Sequence, residues 1–461
     1  MLKGMFRDRE FISGIVKIGV PVALQQLLYA AFGLLDTFMM GQMGEQAIAA
    51  VALANQITFV CNLTTFGIVN AASIFAAQYW GVKEIKGIHK VVKLTLILAT
   101  VIGLVFVAIA AFFPEAALRF YTDDAEVIRL GAQYLRLIAF TYLTGGIYFV
   151  YVTIMRSTRQ VMLPTAISVI ALGLNVLLNY TFIFGKFGAP QMGVSGAGLG
   201  TLIVRILQLI VLLVIIYWKK IPAAAPLRNF GEIKGAFMTT YFKTAAPVLL
   251  NEVLWSLAIT TINSVYAHIS TEAAAAVNIS ATVEQIIFVV GIGMANAAAT
   301  LVGNAIGAGE EHKARMYGLR SLVMSISITI LVGVMIFAFT PWIVSLYNIT
   351  DNTRYLARRT IQIMSLMMWN RATMVMWVVG ILRPGGDTRF TMLVDSVLVW
   401  LVGVPAALLG ANVLGLPIYW VYFMVMSEEL VKNVLCFFRF RSGKWINNLT
   451  HTAEEPLGEL V

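Results

Sequence analysis

The sequence predicts an all-α membrane protein: twelve transmembrane helices in two six-helix bundles related by a pseudo-twofold axis along the membrane normal. Three observations predict it: the composition, a series of twelve apolar runs, and a repeat that relates the two halves. Of 461 residues, 59% are apolar and 12% charged, against roughly 45–50% and about 25% in soluble domains. So little charge cannot clothe a water-facing surface, which excludes a soluble enzyme. So apolar a chain does not stay disordered either. Cys61 and Cys436 lie in separate apolar stretches, with no spacing that suggests a disulfide framework or a metal knot.

A bilayer core about 30 Å thick needs roughly 20 apolar helical residues per crossing. Such runs fall at 12–40, 46–80, 91–113, 127–155, 162–185 and 194–218, then at 241–268, 272–306, 315–346, 354–382, 388–411 and 416–438. Several are longer than a crossing requires, which predicts tilt or extension beyond the lipid. Residues 1–11 are short and mixed in charge and no Sec-type cleavage site follows the first run, so no signal peptide is expected to be removed.

Orientation follows from where the basic residues lie. Loops after even-numbered spans carry Lys83, Lys86 and Lys90; Arg156 and Arg159; Lys219, Lys220, Arg228 and Lys234; Lys313 and Arg315; Arg383 and Arg389; the tail adds Arg439, Arg441 and Lys444. Loops after odd-numbered spans, such as GQMGEQ and NITDN, are neutral or acidic, apart from Lys186 before GAPQMG. This asymmetry places both termini in the cytoplasm of a multi-pass protein of the inner membrane. It also accounts for the net charge of +10 without a nucleic-acid partner, because the cations punctuate loops instead of forming one patch.

The halves match each other. A shift of 226 residues aligns Lys17 with Lys243, Pro21 with Pro247, Gln26 with Glu252, Gly67 with Gly293, Asn70 with Asn296 and Gly81 with Gly307. A shift of 227 aligns Pro114 with Pro341 and residues 154–156 with 381–383. Matched Pro, Gly and Asn at a constant offset are not chance matches of a common residue. Two repeats of six spans insert in the same orientation, the arrangement of transporters whose substrate site lies between the halves. The predicted organisation is a first bundle at 1–218, a cytoplasmic linker at 219–240, a second bundle at 241–440 and a cytoplasmic tail at 441–461.

Ionisable residues inside apolar runs cost at least a few kcal/mol each and normally serve ions, substrate or each other. Asp36 lies in the outer half of span 1. Asn175 and Asn179, at i and i+4 on span 5, and Thr201 on span 6 fall at depths where they can meet it. A carboxylate with amide and hydroxyl oxygens suits Na⁺ or a buried acid that takes a proton; the competing reading is a hydrogen-bonded buried carboxylate. The second half offers Glu252, Glu284, Arg371 and Asp395 as polar candidates, with an Arg371–carboxylate structural pair as the alternative. Glu252 stands out because its repeat partner is Gln26. Glu428 and Glu429 can pair with Lys432 one turn on. Tyr29, Phe66 and Trp255 are aromatic candidates for a cleft that would hold flat cationic amphipathic compounds. The four histidines make no ligand set. No GxxxxGK[ST] loop is present, which excludes ATP-driven transport.

Several stretches together resemble the multidrug and toxic compound extrusion (MATE) family: Pro21 with LLDTFMMGQMG, NAASIFAAQYWG and its partner ATLVGNAIGAGE, LNVLLNYTFIFG, GVSGAGLGT, and GILRPGGDT. The resemblance covers roughly residues 12–440. It implies a V-shaped pair of bundles that exports organic cations or drugs in exchange for H⁺ or Na⁺, with no other cofactor, as a monomer in the lipid bilayer. It carries the family's span 1 aspartate to Asp36, the span 5 pair to Asn175 and Asn179, and the span 6 threonine to Thr201, which would be the Na⁺ ligands if the ion is Na⁺. Asn179 departs from the aspartate often found there in DinF-like members. Glu252 lies about one turn before the NorM-like glutamate, and Asn370 and Arg371 replace the NorM-like aspartate. The chain is therefore expected to be closer to DinF-like than to NorM-like members. The alternative is a flippase of lipid-linked oligosaccharides or lipids in the same superfamily, whose cleft would be cationic. A major-facilitator carrier fits less well, because WGVKEIKGIHK does not match that fold's span 2–3 loop.

Overall fold

The structure, a computed structural model, describes residues 5–226, 228 and 235–452. Part of the expected linker (227 and 229–234) and the end of the expected tail (453–461) lie outside the described residues.

Every regular element among the described residues is helical. The first half holds α1 (Arg9–Gly41), α2 (Glu45–Gly81), α3 (Ile85–Phe112), a short α4 (Pro114–Arg119), α5 (Ala125–Ser157), α6 (Met162–Phe184) and α7 (Val194–Trp218). The second holds α8 (Gly235–Ile269), α9 (Thr271–Gly307), α10 (Glu311–Ser345), α11 (Asp351–Leu382), α12 (Thr388–Val413) and α13 (Ile418–Ser442). Local sequence sets the ends. Asp124 caps α5 by accepting from the amides of Glu126 (2.9 Å) and Val127 (3.2 Å), and Ser270 caps α9 through Ala273 N at 3.0 Å. Gly185, at φ 65°, ends α6 in the left-handed conformation that a side chain disfavours.

Eleven helices among the described residues are long and apolar enough to cross a bilayer. The twelfth expected span forms as α13, but Glu428, Glu429 and Lys432 lie close enough together to fall within every crossing-length stretch of it. Its charges must be neutralised by neighbours for it to sit in lipid. α11 and α12 contain π-helical stretches at Met376–Leu382, Leu393–Val397, Val399–Gly403 and Leu409–Val413. Each rotates the side chains that follow away from a 3.6-residue period.

The chain divides into two compact units, one running from Leu24 to Tyr241 and the other taking the chain up to Ala23 together with Phe242 onward. The division differs from the sequence boundaries at both ends of the first bundle. The start of the chain goes with the second unit because Asp8 pairs with Arg320, Lys313 pairs with Glu10 at 3.2 Å, and Phe11 packs on Tyr317 at 5.3 Å between ring centroids. The chain passes between units just after Pro21, whose missing N–H interrupts the hydrogen-bond ladder of α1. The described residues of 219–241 go with the first unit, where Lys93 Nζ donates to Arg228 O (3.0 Å) and Tyr241 hydroxyl donates to Ile68 O (2.9 Å) and bonds Thr95 (3.1 Å).

Candidate functional site

In the unit 24–241, α1, α6 and α7 bring the four predicted polar residues into one chain of hydrogen bonds. Asn179 Nδ2 donates to Asp36 Oδ1 at 2.6 Å and to Asn175 Oδ1 at 3.3 Å, and Asn175 Nδ2 donates to Thr201 Oγ1 at 3.4 Å. The i, i+4 spacing puts the two asparagines on one face of α6, and both are buried. Small residues on α7 let that face approach. A Cβ on Gly196 would meet the Phe182 carbonyl at 2.5 Å, and one on Gly200 would meet Asn179 Oδ1 at 2.4 Å. The GVSGAGLGT stretch is thus what seats α7 against the asparagines.

Two features of this chain carry chemistry. Asp36 makes no ion pair among the described residues, and the buried Asn179 Oδ1 has no hydrogen-bond partner there. A buried acceptor left unmade costs about 1–3 kcal/mol.

Asp36 and Thr201 open onto a cavity of about 530 Å³ whose walls include Tyr29, Phe32, Phe59, Phe66 and Phe149. Phe66 stacks on Phe149 at 5.7 Å, and Tyr142 hydroxyl bonds Thr58 at 3.1 Å, so part of the wall is held in place. Of the expected cleft aromatics, Tyr29 and Phe66 line this cavity with Asp36. Trp255 is on α8, in the other unit. Arg205 also lines the cavity, with its guanidinium carbon 5.5 Å from the Phe32 ring centroid and 6.0 Å from that of Tyr29. From sequence Arg205 is only an arginine deep in a span; its depth and one-turn spacing from Thr201 are the signals that point to the cavity.

The candidates of the second half do not gather into a matching chain. Glu252 pairs with Arg383 at 2.9 Å. Glu284 pairs with Arg371 at 2.8 Å, accepts from Tyr422 hydroxyl at 3.3 Å, and shares Arg371 with Glu429 at 4.0 Å. Asp395 accepts from Asn251 Nδ2 at 2.9 Å and lies 3.7 Å from Lys432, which holds Glu428 at 2.5 Å. A direct Arg371–Asp395 pair is therefore not formed. The π-helical turn at Leu393–Val397 carries Asp395 toward α8 and α13 instead. Of the two expected partners of Lys432, Glu428 keeps it and Glu429 turns to Arg371. Met294 of α9 joins Glu284 and Arg371 on the wall of a small, mostly apolar cavity of about 150 Å³ that Ser325 and Thr329 also line.

Comparison with known proteins gives the family and the fold. The model of the MatE family matches residues 21–181 and 247–409, one segment per repeat. A probable multidrug resistance protein NorM of Thermotoga maritima is 22% identical over 445 residues, which cover 96% of this chain and 95% of that relative. The probable multidrug resistance protein YoeA of Bacillus subtilis is 24% identical over 84% of each chain. Among solved structures, a MATE in the bent conformation superposes with a TM-score of 0.86 at 18% identity, covering 98% of this chain and 100% of that one. An outward-facing MATE family transporter of the MOP superfamily gives 0.83 at 18% identity.

Proposed function

The chain belongs to the MatE family of multi-pass membrane transporters, and on that premise we propose that it is a secondary antiporter that exports organic cations or drugs, with Asp36 as the coupling group. Multidrug efflux is the activity the relatives' names carry. The observation that carries the finer reading is a cavity-lining carboxylate that makes no ion pair among the described residues, hydrogen-bonded to an asparagine whose own oxygen has no partner there.

Asp36 and Asn179 form a two-state element. With the carboxylate ionised, the Asn179 amide donates to it. When Asp36 takes a proton it becomes a donor, and a half-turn of the amide presents Oδ1 as acceptor, satisfying the orphaned atom. The geometry supports H⁺ ahead of Na⁺, because the nitrogen of Asn179 faces the carboxylate and a hard cation requires oxygens. Na⁺ on Asp36, Asn175, Asn179 and Thr201 is the second form of the same reading. Either ion competes with a substrate cation for one carboxylate, so loading the ion releases the substrate. One proton moving down one pH unit supplies about 1.4 kcal/mol, and one charge crossing 100 mV about 2.3 kcal/mol. For a monovalent substrate cation exchanged for one proton the potential terms cancel, so one pH unit sustains about a tenfold substrate gradient.

The placement closer to DinF-like than to NorM-like members belongs to this reading, since the second-half carboxylates are engaged with Arg371, Arg383 and Lys432. So does action as a monomer of the bacterial inner membrane with both termini cytoplasmic, which the basic loops support. A lipid-linked-sugar flippase fits less well, because Arg205 is opposed by Asp36 across its cavity and Arg371 is neutralised by Glu284.

The test is uptake of ethidium into proteoliposomes with H⁺ and Na⁺ gradients imposed separately. The expected result is accumulation driven by the H⁺ gradient and lost in Asp36→Asn, with the variant's elution and unfolding unchanged. Undiminished gradient-driven uptake by Asp36→Asn would overturn the reading; uptake driven by Na⁺ alone would replace the proton with sodium.

A further inference from the structure

The internal repeat gives Arg205 a built-in reference. At the offset of 227, Gly188 matches Gly415, Pro190 matches Pro417 and Trp218 matches Trp445, so the register holds through the last two spans of each half. In that register Arg205 corresponds to Lys432, Thr201 to Glu428 and Ser168 to Asp395. Both halves therefore carry a cation at the same place on their sixth membrane helix. In the second half it is buried between Glu428 at 2.5 Å and Asp395 at 3.7 Å. In the first half both carboxylate positions hold hydroxyl residues, and the cation makes no ion pair among the described residues.

Arg205 sits roughly 17 Å along α7, near the middle of that helix. Its one hydrogen bond among the described residues runs from Nη1 to Gln208 Oε1 at 3.2 Å. The Phe32 and Tyr29 ring faces steady the guanidinium without using its N–H groups. A guanidinium has five N–H donors in a planar fork that matches a carboxylate. Most of them are thus unspent on the wall of the cavity that also holds Asp36.

We infer that Arg205 is an anion-recognition subsite of the transport cavity, which takes the carboxylate of aromatic zwitterionic substrates while their amine lies toward Asp36. The second half cannot do the same, because its equivalent lysine is already neutralised. This inference rests on the reading that the cavity at Asp36 is the transport site. It makes one specific claim beyond it: an acidic group on the substrate strengthens binding, where a purely anionic cavity would repel it.

The experiment measures equilibrium binding to the purified full-length protein in detergent, without a gradient. The probes are norfloxacin, an aromatic with a carboxylate and an amine, and its ethyl ester, which lacks only the acid. The wild type is expected to bind the acid about tenfold or more tightly than the ester, the worth of a charge-assisted pair. In Arg205→Gln that ratio falls to about one, and Arg205→Lys restores part of it. A wild-type ratio near one, no binding of either compound, or a ratio that survives in Arg205→Gln would each overturn the inference. If Arg205→Gln fails to fold, the wild-type ratio and Arg205→Lys still decide. Because no gradient is used, failure of Asp36-dependent transport would remove the antiport reading and leave this ratio as measured, and the converse also holds.

Discussion

Replacing Gly200 by alanine tests the coupling chain without replacing any polar side chain. The added methyl would sit 2.4 Å from Asn179 Oδ1 and 3.3 Å from Asn179 N, where no Cβ can stay. Asn179 cannot simply withdraw, because it is buried and its amide nitrogen holds both Asp36 and Asn175. Two relaxations are available. If the amide rotates away, the bond to the Asp36 carboxylate is lost, at about 1.5–3 kcal/mol for a charged partner. If the amide stays, α7 must move off α6, and overpacking of this kind costs about 1–3 kcal/mol. Either route comes to about 2 kcal/mol, equivalent to roughly thirtyfold in rate if it falls on the transport cycle.

The assay pairs the initial rate of gradient-driven uptake in proteoliposomes with thermal unfolding of the purified protein. Amide rotation predicts a rate down roughly thirtyfold at near-normal stability; helix displacement predicts a melting temperature lowered by several degrees. Gly173→Ala is the control. It lies on α6 near the asparagines, yet nothing approaches within 4 Å of the methyl that alanine would add there, so it should be neutral or stabilise by up to about 1 kcal/mol. A Gly200→Ala protein with wild-type rate and wild-type stability would refute the packing argument and the role given to Asn179.

Two further outcomes concern the second unit. Lys432→Met leaves the buried Glu428 and the half-buried Asp395 without their shared cation; a loss of about 3 kcal/mol in unfolding free energy is expected, partly recovered by adding Glu428→Gln, and wild-type stability would count against the pairing. Glu284→Ala leaves Arg371 with only Glu429, 4.0 Å away, and should destabilise by about 3 kcal/mol, while Glu284→Gln, which keeps an acceptor for Arg371 and Tyr422, should lose less in the same denaturation series.

Most of the architecture is legible in the sequence because lipid imposes length and apolarity on every span. The matched Pro21 and Pro247 and the constant offset are legible because the halves are repeats of one another. The chain from Asp36 to Thr201 is legible as well, because depth along straight helices and the i, i+4 spacing suffice to bring four residues to one level. The second half is less legible, since depth says nothing about rotation. Asp395 sits in a π-helical turn that no 3.6-residue count anticipates, and Arg371 could face any of several carboxylates at its level. The assignment of residues 1–23 to the second unit is hidden for another reason: the Asp8–Arg320 and Glu10–Lys313 contacts join positions some three hundred residues apart.

The repeat explains why the two halves differ in what they can do. Both inherit a helical frame with a cation at one register of the sixth membrane helix, and burying that cation in lipid requires compensation. The second half compensates with fixed carboxylates, Glu428 and Asp395, so its charges are mutually satisfied and an arriving ion or ligand would have to displace a formed pair. The first half substitutes hydroxyl residues at both positions and compensates at a distance, with ring faces around Arg205 and with Asp36 across an open cavity. Arg205 is thus held without an ion pair among the described residues, on the wall of the cavity it shares with Asp36. On the proposed reading, the divergence of these few positions is where one copy of a duplicated bundle keeps charges available for exchange while the other locks them into its core.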